Sequence, residues 1–212
     1  MQSALPYHVF ARSNNKEWFY LASDEVWSIC KTLFSKTFHD YSSRVLEFVL
    51  MSNHFHLLIE TPEANLNEVM NYFMREFSRA VGRKTGRINH IFGGRYKGCL
   101  IEHAAHFAHI YKYVLRNPVE AGLSSRVEEY PFSTLKREFG QSLGFPVAEI
   151  LEHPLSGYIP LEIAARMTWL NTKYRFEQAE LIRQSLKRTE FKFPAHPRHA
   201  SVVKTLTNSF QK

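Results

Sequence analysis

The sequence predicts an α+β fold in which helices pack on one face of an antiparallel sheet and a helical extension follows. Three features of the 212 residues support this prediction. Short runs rich in β-branched and aromatic residues are typical of strands. Longer segments between them place apolar residues at helical spacing. After about residue 135, loop-rich sequence and two further helical segments replace this alternation.

The first strand is predicted at Tyr7–Arg12, where aromatic and β-branched residues end at the turn-like Ser-Asn-Asn-Lys-Glu. A second short strand is expected at residues 18–22. Asp24 is expected to cap a helix over residues 25–41, whose apolar positions fall on one helical face. These positions are Val26, Ile29, Leu33 and Phe34.

Residues 45–50 and 55–60 are predicted to form two strands joined by Met-Ser-Asn, and Pro62 ends the second. A long helix with an apolar stripe is expected over residues 65–84. Three arginines recur four residues apart along this helix, so they share one face. They are Arg75, Arg79 and Arg83.

A glycine-containing loop with a basic-aromatic centre is predicted to lead into a strand at residues 99–102. Its centre consists of Arg95, Tyr96 and Lys97. The helix that follows is predicted to end at Asn117, because the residue before a proline is displaced from the helical region.

The change of character near residue 135 predicts two parts. Residues 1–135 would form the first domain, and residues 136–212 a helical C-terminal extension. Helices are expected at residues 161–171 and 172–186, and a basic tail with interleaved phenylalanines follows them.

The excess of basic over acidic residues indicates which kind of molecule the protein binds. The formal net charge is +7 and the isoelectric point is about 9.4, which favours nucleic acid or an anionic surface over a protein that is merely basic. The two cysteines form no CxxC motif, which excludes a zinc ribbon and fits a reducing cytoplasm. The sequence contains neither a secretory signal nor a membrane span, so we expect a cytoplasmic protein without membrane contact.

Two histidines lie two residues apart: His56 is within the strand predicted at residues 55–60, and His54 directly precedes that strand. Residues at this spacing point to the same face of a strand, so His54 and His56 project together and Phe55 projects away. Two neutral imidazoles form half of a metal site. The alternative is a pair of histidines that are simply hydrogen-bonded near a strand edge, and the spacing alone leaves both interpretations open.

A tyrosine-rich helix offers complementary groups. Tyr113 and Asn117 are four residues apart and share a helical face, and His109 lies on that face one turn earlier. A phenol and an amide oxygen could therefore face the histidine-bearing strand together. Taken singly, Tyr113 is better explained as a half-buried aromatic residue and Asn117 as a helix C-terminal residue.

Several segments resemble one known family. "SNHFHLLIE" resembles the HUH motif (His, hydrophobic residue, His) of the Y1 transposases, the IS200/IS605-like group. "YKYVLRNPVEAGL" resembles the tyrosine-helix signature of its REP-associated branch, and "YHVFARSNNKEWFY" and "FGGRYKGCLIE" resemble two further segments of that branch. The resemblance covers residues 6–135 with the motifs in family order, although "SNNKE" replaces a more usual "RGNN". It implies a ferredoxin-like arrangement of the sheet.

The resemblance also implies roles for individual residues. His54 and His56 match the two metal-binding histidines, and Tyr113 matches the nucleophile. Asn117 matches the position of a third ligand, which is Gln or Asn in the family. Tyr111 is a competing nucleophile, but it lies about 200° around the helix from Tyr113, so both cannot face the metal. Two histidines and one amide oxygen leave coordination positions open, which suits Mg²⁺ or Mn²⁺ better than a structural zinc.

The function implied is that of a transposase that cleaves single-stranded DNA beside hairpins of the REP type. Attack by the tyrosine would leave a 5′-phosphotyrosine and a free 3′-OH, so no nucleotide cofactor is expected. The protein would work as a monomer or homodimer, in the cytoplasm and on the nucleoid. A DNA-binding protein that has lost catalysis and a metal-dependent hydrolase are the alternatives.

Basic and aromatic side chains along the chain are candidates for contacts with the DNA backbone and bases. The alternative for each is an ordinary solvated side chain. The candidates are Arg75, Arg79, Arg83, Arg95, Tyr96, Lys97, Lys187, Arg188 and Lys192.

Overall fold

Four strands form one antiparallel sheet in the computed structural model, which describes residues 5–208. The spatial order of the strands is β2-β3-β1-β4. Their bounds are Tyr7–Arg12 for β1, Arg44–Leu50 for β2, His54–Glu60 for β3 and Lys97–Leu100 for β4. The two interior strands, β3 and β1, carry the residues that matter most for the site.

Two helices pack on one face of this sheet, as predicted. They are α1, Ser23–Tyr41, which joins β1 to β2, and α2, Leu66–Thr85, which joins β3 to β4. The order βαββαβ with the outer strands β2 and β4 is the ferredoxin-like arrangement, and the predicted α+β class is confirmed. Phe73 of α2 stacks on Phe34 of α1 at 4.8 Å and contacts Phe55 of β3 edge-on at 5.5 Å.

The opposite face of the sheet is also covered. Helix α3, Ala104–Glu120, lies on it, and the extension adds α4, Ile163–Asn171, α5, Phe176–Ser185, and α6, Ala200–Asn208. Strands β2 and β3 are therefore buried on both sides, which explains why their sequences read as nearly continuous apolar runs.

The prediction of a strand at residues 18–22 is wrong. Tyr20 has a φ of 64°, a conformation incompatible with an extended strand. The amide of Phe19 instead donates to the carbonyl of Ser52, and Trp18 is left exposed. The predicted β4 lies two residues too late, since the observed strand pairs Lys97–Leu100 with β1. Just beyond it, the amide of Ile101 donates to the carbonyl of Pro6 at 2.9 Å.

The predicted end of α3 at Asn117 is also wrong, since the helix continues through Pro118 to Glu120. Proline cannot donate to the carbonyl of Val114, four residues earlier. The side-chain Nδ2 of Asn117 lies 3.5 Å from that carbonyl and 2.7 Å from the carbonyl of Tyr113. The side chain thus supports the turn that the proline weakens.

The extension docks on the free edge of β4. The amide of Leu100 donates to the carbonyl of Thr189 at 2.8 Å, and the amide of Phe191 donates to the carbonyl of Leu100 at 2.9 Å. The two predicted helices exist as the shorter α4 and α5, while α6 lies in the segment expected to be only a basic tail. The outer ends of the two predicted domains, residues 1–4 and 209–212, lie outside the described residues. No helix in the described range is long and apolar enough to cross a membrane.

Candidate active site

Strand alternation places His54 and His56 on the face of the sheet that α3 covers, with ring centroids 5.2 Å apart. Phe55, between them, points to the other face and joins the core under α1 and α2. The neighbouring strand β1 is antiparallel, with Phe10 opposite His56 and Arg12 opposite His54. The histidine pair therefore sits beside the C-terminal half of β1.

A third histidine contacts His56 from β1. His8 is buried, and its Nε2 lies 2.9 Å from Nδ1 of His56. Burial lowers the pKa of His8 to about 3, and it lowers the pKa of His56 well below its ordinary value. Both rings are therefore neutral at neutral pH. When His56 donates through Nδ1 to His8, its Nε2 keeps a lone pair for a ligand.

The tautomer of His54 follows from its neighbours. The Nδ2 of Asn53 donates to the carbonyl of Lys16 at 2.6 Å, which fixes the orientation of this amide. The Oδ1 of Asn53, 2.7 Å from Nδ1 of His54, can only accept, so Nδ1 of His54 carries the proton. Burial, helped by the charge of Arg12, lowers the pKa of His54 to about 4. His54 is thus a neutral imidazole whose Nε2 can bind a cation.

Helix α3 brings Tyr113 to the same place. Its ring lies edge-on to His56 with centroids 5.7 Å apart, and 6.5 Å from the ring of His8. Burial raises the pKa of the Tyr113 phenol, and the nearby guanidinium of Arg183 opposes that shift. The phenol is consequently a protonated, largely desolvated group beside two neutral imidazoles.

The competing Tyr111 points elsewhere. It is fully buried and stacks on Trp169 of α4 with centroids 6.4 Å apart. Its hydroxyl has no hydrogen-bond partner among the described residues. Burial raises the pKa of this phenol well above its ordinary value. Tyr111 is therefore a core residue, in agreement with the helical angle that separates it from Tyr113.

Asn117 lies one turn after Tyr113 and lines the same pocket. Because its Nδ2 donates to the backbone carbonyl of Tyr113, the amide orientation is fixed and Oδ1 is the atom left for another ligand. The helical continuation through Pro118 is what keeps Asn117 in register with Tyr113.

These side chains surround a cavity of about 410 Å³. Besides the histidines, Tyr113 and Asn117, four cationic side chains line it. They are Arg12, Lys97, Arg183 and Lys187. The cavity thus combines neutral nitrogen and oxygen donors, a phenol hydroxyl and an excess of positive charge, which suits an anionic substrate such as a phosphodiester.

The donor set is compatible with an open metal site of mixed ligands. Within residues 5–208, no group of three or more His, Cys, Asp or Glu side chains could hold a metal ion. Two imidazole nitrogens and one amide oxygen are a weaker set than a closed zinc site, and they leave positions for phosphate oxygens and water.

Comparison with protein families identifies the chain. The model of the family described as "Transposase IS200 like" matches residues 1–117. The chain belongs to this family. The matched segment includes both histidines of β3 and ends at Asn117, so it covers the residues that the resemblance assigns to metal binding and nucleophilic attack. Helices α4, α5 and α6 of this transposase lie after the matched segment.

A solved structure shares the fold of this transposase. It is described as "Structure of the REP associates tyrosine transposase bound to a REP hairpin". The two chains are 17% identical with a TM-score of 0.57, over 72% of this chain and 91% of the other. A comparison with curated proteins finds no match.

The predicted DNA-binding residues separate into three groups in the transposase. Five line a groove of about 1020 Å³ between α2 and the loop before β4, together with Arg87. They are Arg75, Arg79, Arg83, Arg95 and Tyr96. Lys97 and Lys187 instead line the cavity that contains Tyr113. Arg188 and Lys192 are exposed and lie in neither, and Lys192 pairs with Glu190.

The sequence patterns do not predict His8, Arg12 or Arg183 as residues of the site. His8 and Arg12 share a face of the first predicted strand, which is a usable signal. Their relevance appears only with the pairing of β1 and β3, which no local pattern specifies. The position of Arg183 depends on how the extension docks, and its sequence carries no signal for that.

His109 is one turn before Tyr113 on α3 but does not line the cavity. One helical turn displaces it by about 6 Å along the helix axis. There it is buried under the extension, with Nδ1 2.9 Å from the hydroxyl of Tyr174 and Nε2 3.1 Å from the carbonyl of Leu206. His109 therefore serves the packing of the extension on α3.

Proposed function

We propose that this transposase is a tyrosine-nucleophile single-strand DNA endonuclease and strand transferase of the HUH type. The observation that carries the proposal is the meeting of Tyr113 with the pair His54 and His56 and with Asn117 in one cationic cavity. Each residue has another explanation when taken alone. A phenol, two neutral imidazoles and an amide oxygen together match the requirements of metal-assisted phosphoryl transfer.

A divalent cation, Mg²⁺ or Mn²⁺, would be held by Nε2 of His54, Nε2 of His56 and Oδ1 of Asn117. When bound, such a cation polarises the scissile phosphate and neutralises charge that develops in the transition state. The neutral state of both histidines supports this role, because an imidazolium cannot bind a metal.

The proposed cleavage exchanges one phosphoester bond for another. The phenol proton of Tyr113 passes to water, and Oη forms a bond to phosphorus. The bond from phosphorus to the 3′-oxygen breaks, and that oxygen takes up a proton from water. A 5′-phosphotyrosine and a free 3′-OH remain, and since the phosphoester is exchanged rather than hydrolysed, another 3′-OH can reverse the step without a nucleotide cofactor.

The proposed substrate is single-stranded DNA next to a hairpin. Three observations support it: the basic charge of the chain, the arginine-lined groove, and the cations inside the cavity. The segment Arg95–Lys97 runs from the groove into the cavity, so one DNA strand could contact both. The solved structure of similar fold is described with a REP hairpin, which suggests hairpins as the first substrates to try.

A protein with the proposed function would act in the cytoplasm and on the nucleoid. A single described chain already contains all the residues named above, so a monomer would suffice for cleavage. A homodimer remains compatible with the proposal.

The test uses labelled single-stranded oligonucleotides that cover both strands of the DNA beside the gene. With Mn²⁺ or Mg²⁺, the wild type should give a covalent protein–DNA adduct on a denaturing gel. Tyr113→Phe should give none. Tyr111→Phe is the matched control, and it should retain the adduct because the Tyr111 hydroxyl is buried away from the cavity.

Two results would overturn the proposal. Cleavage without an adduct, unchanged in Tyr113→Phe, would show a metal-dependent hydrolase. Tight hairpin binding with neither cleavage nor adduct would show a DNA-binding protein that has lost catalysis.

A further inference from the structure

Helix α5 of the extension brings a cation into the cavity of the proposed nucleophile. The charge of the Arg183 guanidinium opposes the rise that burial causes in the pKa of the Tyr113 phenol. Both side chains line the same cavity, and Lys187, one turn further along, lines it as well. Arg183 lies far outside the family segment of residues 1–117, so the family match assigns it no role.

The position of Arg183 is fixed by packing on the transposase core. Its neighbours Leu181 and Ile182 are buried, and Ile182 and Leu186 belong to the apolar cluster that contains the inner face of α3. The chain after α5 then pairs with Leu100 at the edge of β4. The guanidinium is therefore presented to the cavity by two independent anchors.

The surroundings of Arg183 also orient its guanidinium. Its Nη1 lies 2.5 Å from Oε2 of Glu180, one turn earlier on α5. A guanidinium has five N–H donors in a planar fork, so one edge can hold Glu180 while others reach Tyr113 and a substrate oxygen. The side chain is 51% exposed, which leaves it accessible to a phosphate entering the cavity.

We propose that Arg183 is a catalytic residue of the cleavage step, supplied by the extension rather than by the family domain. It would hold Oη of Tyr113 in line for attack and donate to a non-bridging oxygen of the scissile phosphate as charge develops there. The inference rests on the proposed function.

Proton and bond changes remain those of the tyrosine reaction. Arg183 stays protonated throughout and neither gives nor takes a proton. Its contribution is a set of charge-assisted hydrogen bonds, which are roughly twice as strong as neutral ones. Lys187 would add a second cation for the same phosphate but without the fork geometry.

The experiment compares adduct formation in single-turnover conditions for four full-length proteins. They are the wild type, Arg183→Gln, Arg183→Lys and the control Lys173→Gln, which removes an exposed cation on the loop before α5. The substrate is the hairpin oligonucleotide that gives an adduct with the wild type, with Mn²⁺ present. Dissociation constants for the same oligonucleotide and thermal unfolding curves are measured in parallel.

Arg183→Gln should slow adduct formation by about 10²- to 10³-fold, the usual effect of removing one preorganised donor from a transition state. Its dissociation constant and unfolding temperature should match the wild type. Arg183→Lys should recover part of the lost rate, and Lys173→Gln should react like the wild type. This separation of rate from binding is what a merely structural role would not produce.

Adduct formation by Arg183→Gln at the wild-type rate, or faster, would overturn the inference and leave the proposed function standing. Equal losses of rate and DNA affinity would also overturn it, since Arg183 would then be a binding residue only. Absence of an adduct in the wild type would refute the proposed function itself.

Discussion

Nε2 of His8 and Nδ1 of His56 lie 2.9 Å apart between adjacent strands, β1 and β3. His8 is thereby the hydrogen-bond partner of a histidine proposed to bind metal. Groups of this kind fix the tautomer and ring orientation of a ligand, and they matter nearly as much as the ligand itself.

Removal of His8 should weaken metal binding. His8→Leu should lower the affinity for Mn²⁺ by about 10- to 100-fold, because Nδ1 of His56 loses its hydrogen-bond partner. His8→Gln, whose Oε1 can accept at a similar position, should retain more of the affinity. Mn²⁺ titration followed by electron paramagnetic resonance measures this without DNA. Wild-type affinity in His8→Leu would contradict the role of His8.

The third ligand can be tested in the same titration. Asn117→Ala should bind Mn²⁺ more weakly than the wild type, because Oδ1 is lost. Asn117→Asp should bind at least as tightly, since a carboxylate oxygen is a stronger ligand for this ion. Equal affinities in the wild type and Asn117→Ala would show that the third ligand comes from solvent or substrate.

If the arginines of the groove beside α2 contact DNA phosphates, they should contribute to the salt dependence of DNA affinity. Replacement of Arg75, Arg79 and Arg83 by glutamine should reduce the slope of log affinity against log salt. Each lost phosphate contact should contribute about 0.7 to 0.9 to that change.

A charge-matched triple variant provides the control for the groove. Lys36, Lys173 and Lys204 are exposed and line neither the groove nor the cavity. Their replacement by glutamine should leave the slope nearly unchanged. If both triple variants lower the slope equally, the effect comes from net charge and the groove is an ordinary solvated face.

A buried carboxyl predicts a pH-dependent stability. Burial raises the pKa of Glu47 from 4.5 to about 7, and the side chain accepts a hydrogen bond from Thr134. Because the folded pKa is raised, the stabilisation is complete below the unfolded value and is lost as the pH rises through about 7. The contribution of Glu47 to stability should therefore fall between these two values, while the buried histidines, whose pKa values are lowered, contribute in the opposite direction.

Glu47→Gln mimics the protonated side chain and should remove the contribution of Glu47, so the difference between the two proteins isolates it. At about pH 8 it should be more stable than the wild type by up to about 3 kcal/mol, with little difference at about pH 5. Chemical denaturation at both values measures the free energy of unfolding. A difference that is the same at both pH values would show that Glu47 is ionised in the folded protein.

Sequence periodicity predicts the sheet and its helices well where one pattern dominates. The strand Tyr7–Arg12 and the helix α2 follow directly from alternation and from an apolar stripe. The failures occur where local rules meet competing contacts. Pro118 does not end α3, because the Asn117 side chain supports the weakened turn. The aromatic residues 18–22 do not extend, because Tyr20 turns the chain.

The residues of the site likewise include some that local sequence patterns predict and others that depend on tertiary structure. The spacing of His54 and His56 on a strand, and of Tyr113 and Asn117 on a helix, is local information. The contact of His8 with His56, and the cavity that Arg183 shares with Tyr113, bring together residues far apart in sequence. They depend on strand order and on the docking of the extension, which a single sequence does not specify.

The most direct test of the central claim is to locate the DNA attachment on the protein. Lys112 separates Tyr111 from Tyr113, so trypsin followed by tandem mass spectrometry can assign an oligonucleotide adduct to either tyrosine. We predict that the wild type, incubated with Mn²⁺ and a cleavable hairpin oligonucleotide, carries a 5′-phosphate on Tyr113. Attachment to Tyr111 or to any other residue would contradict this account.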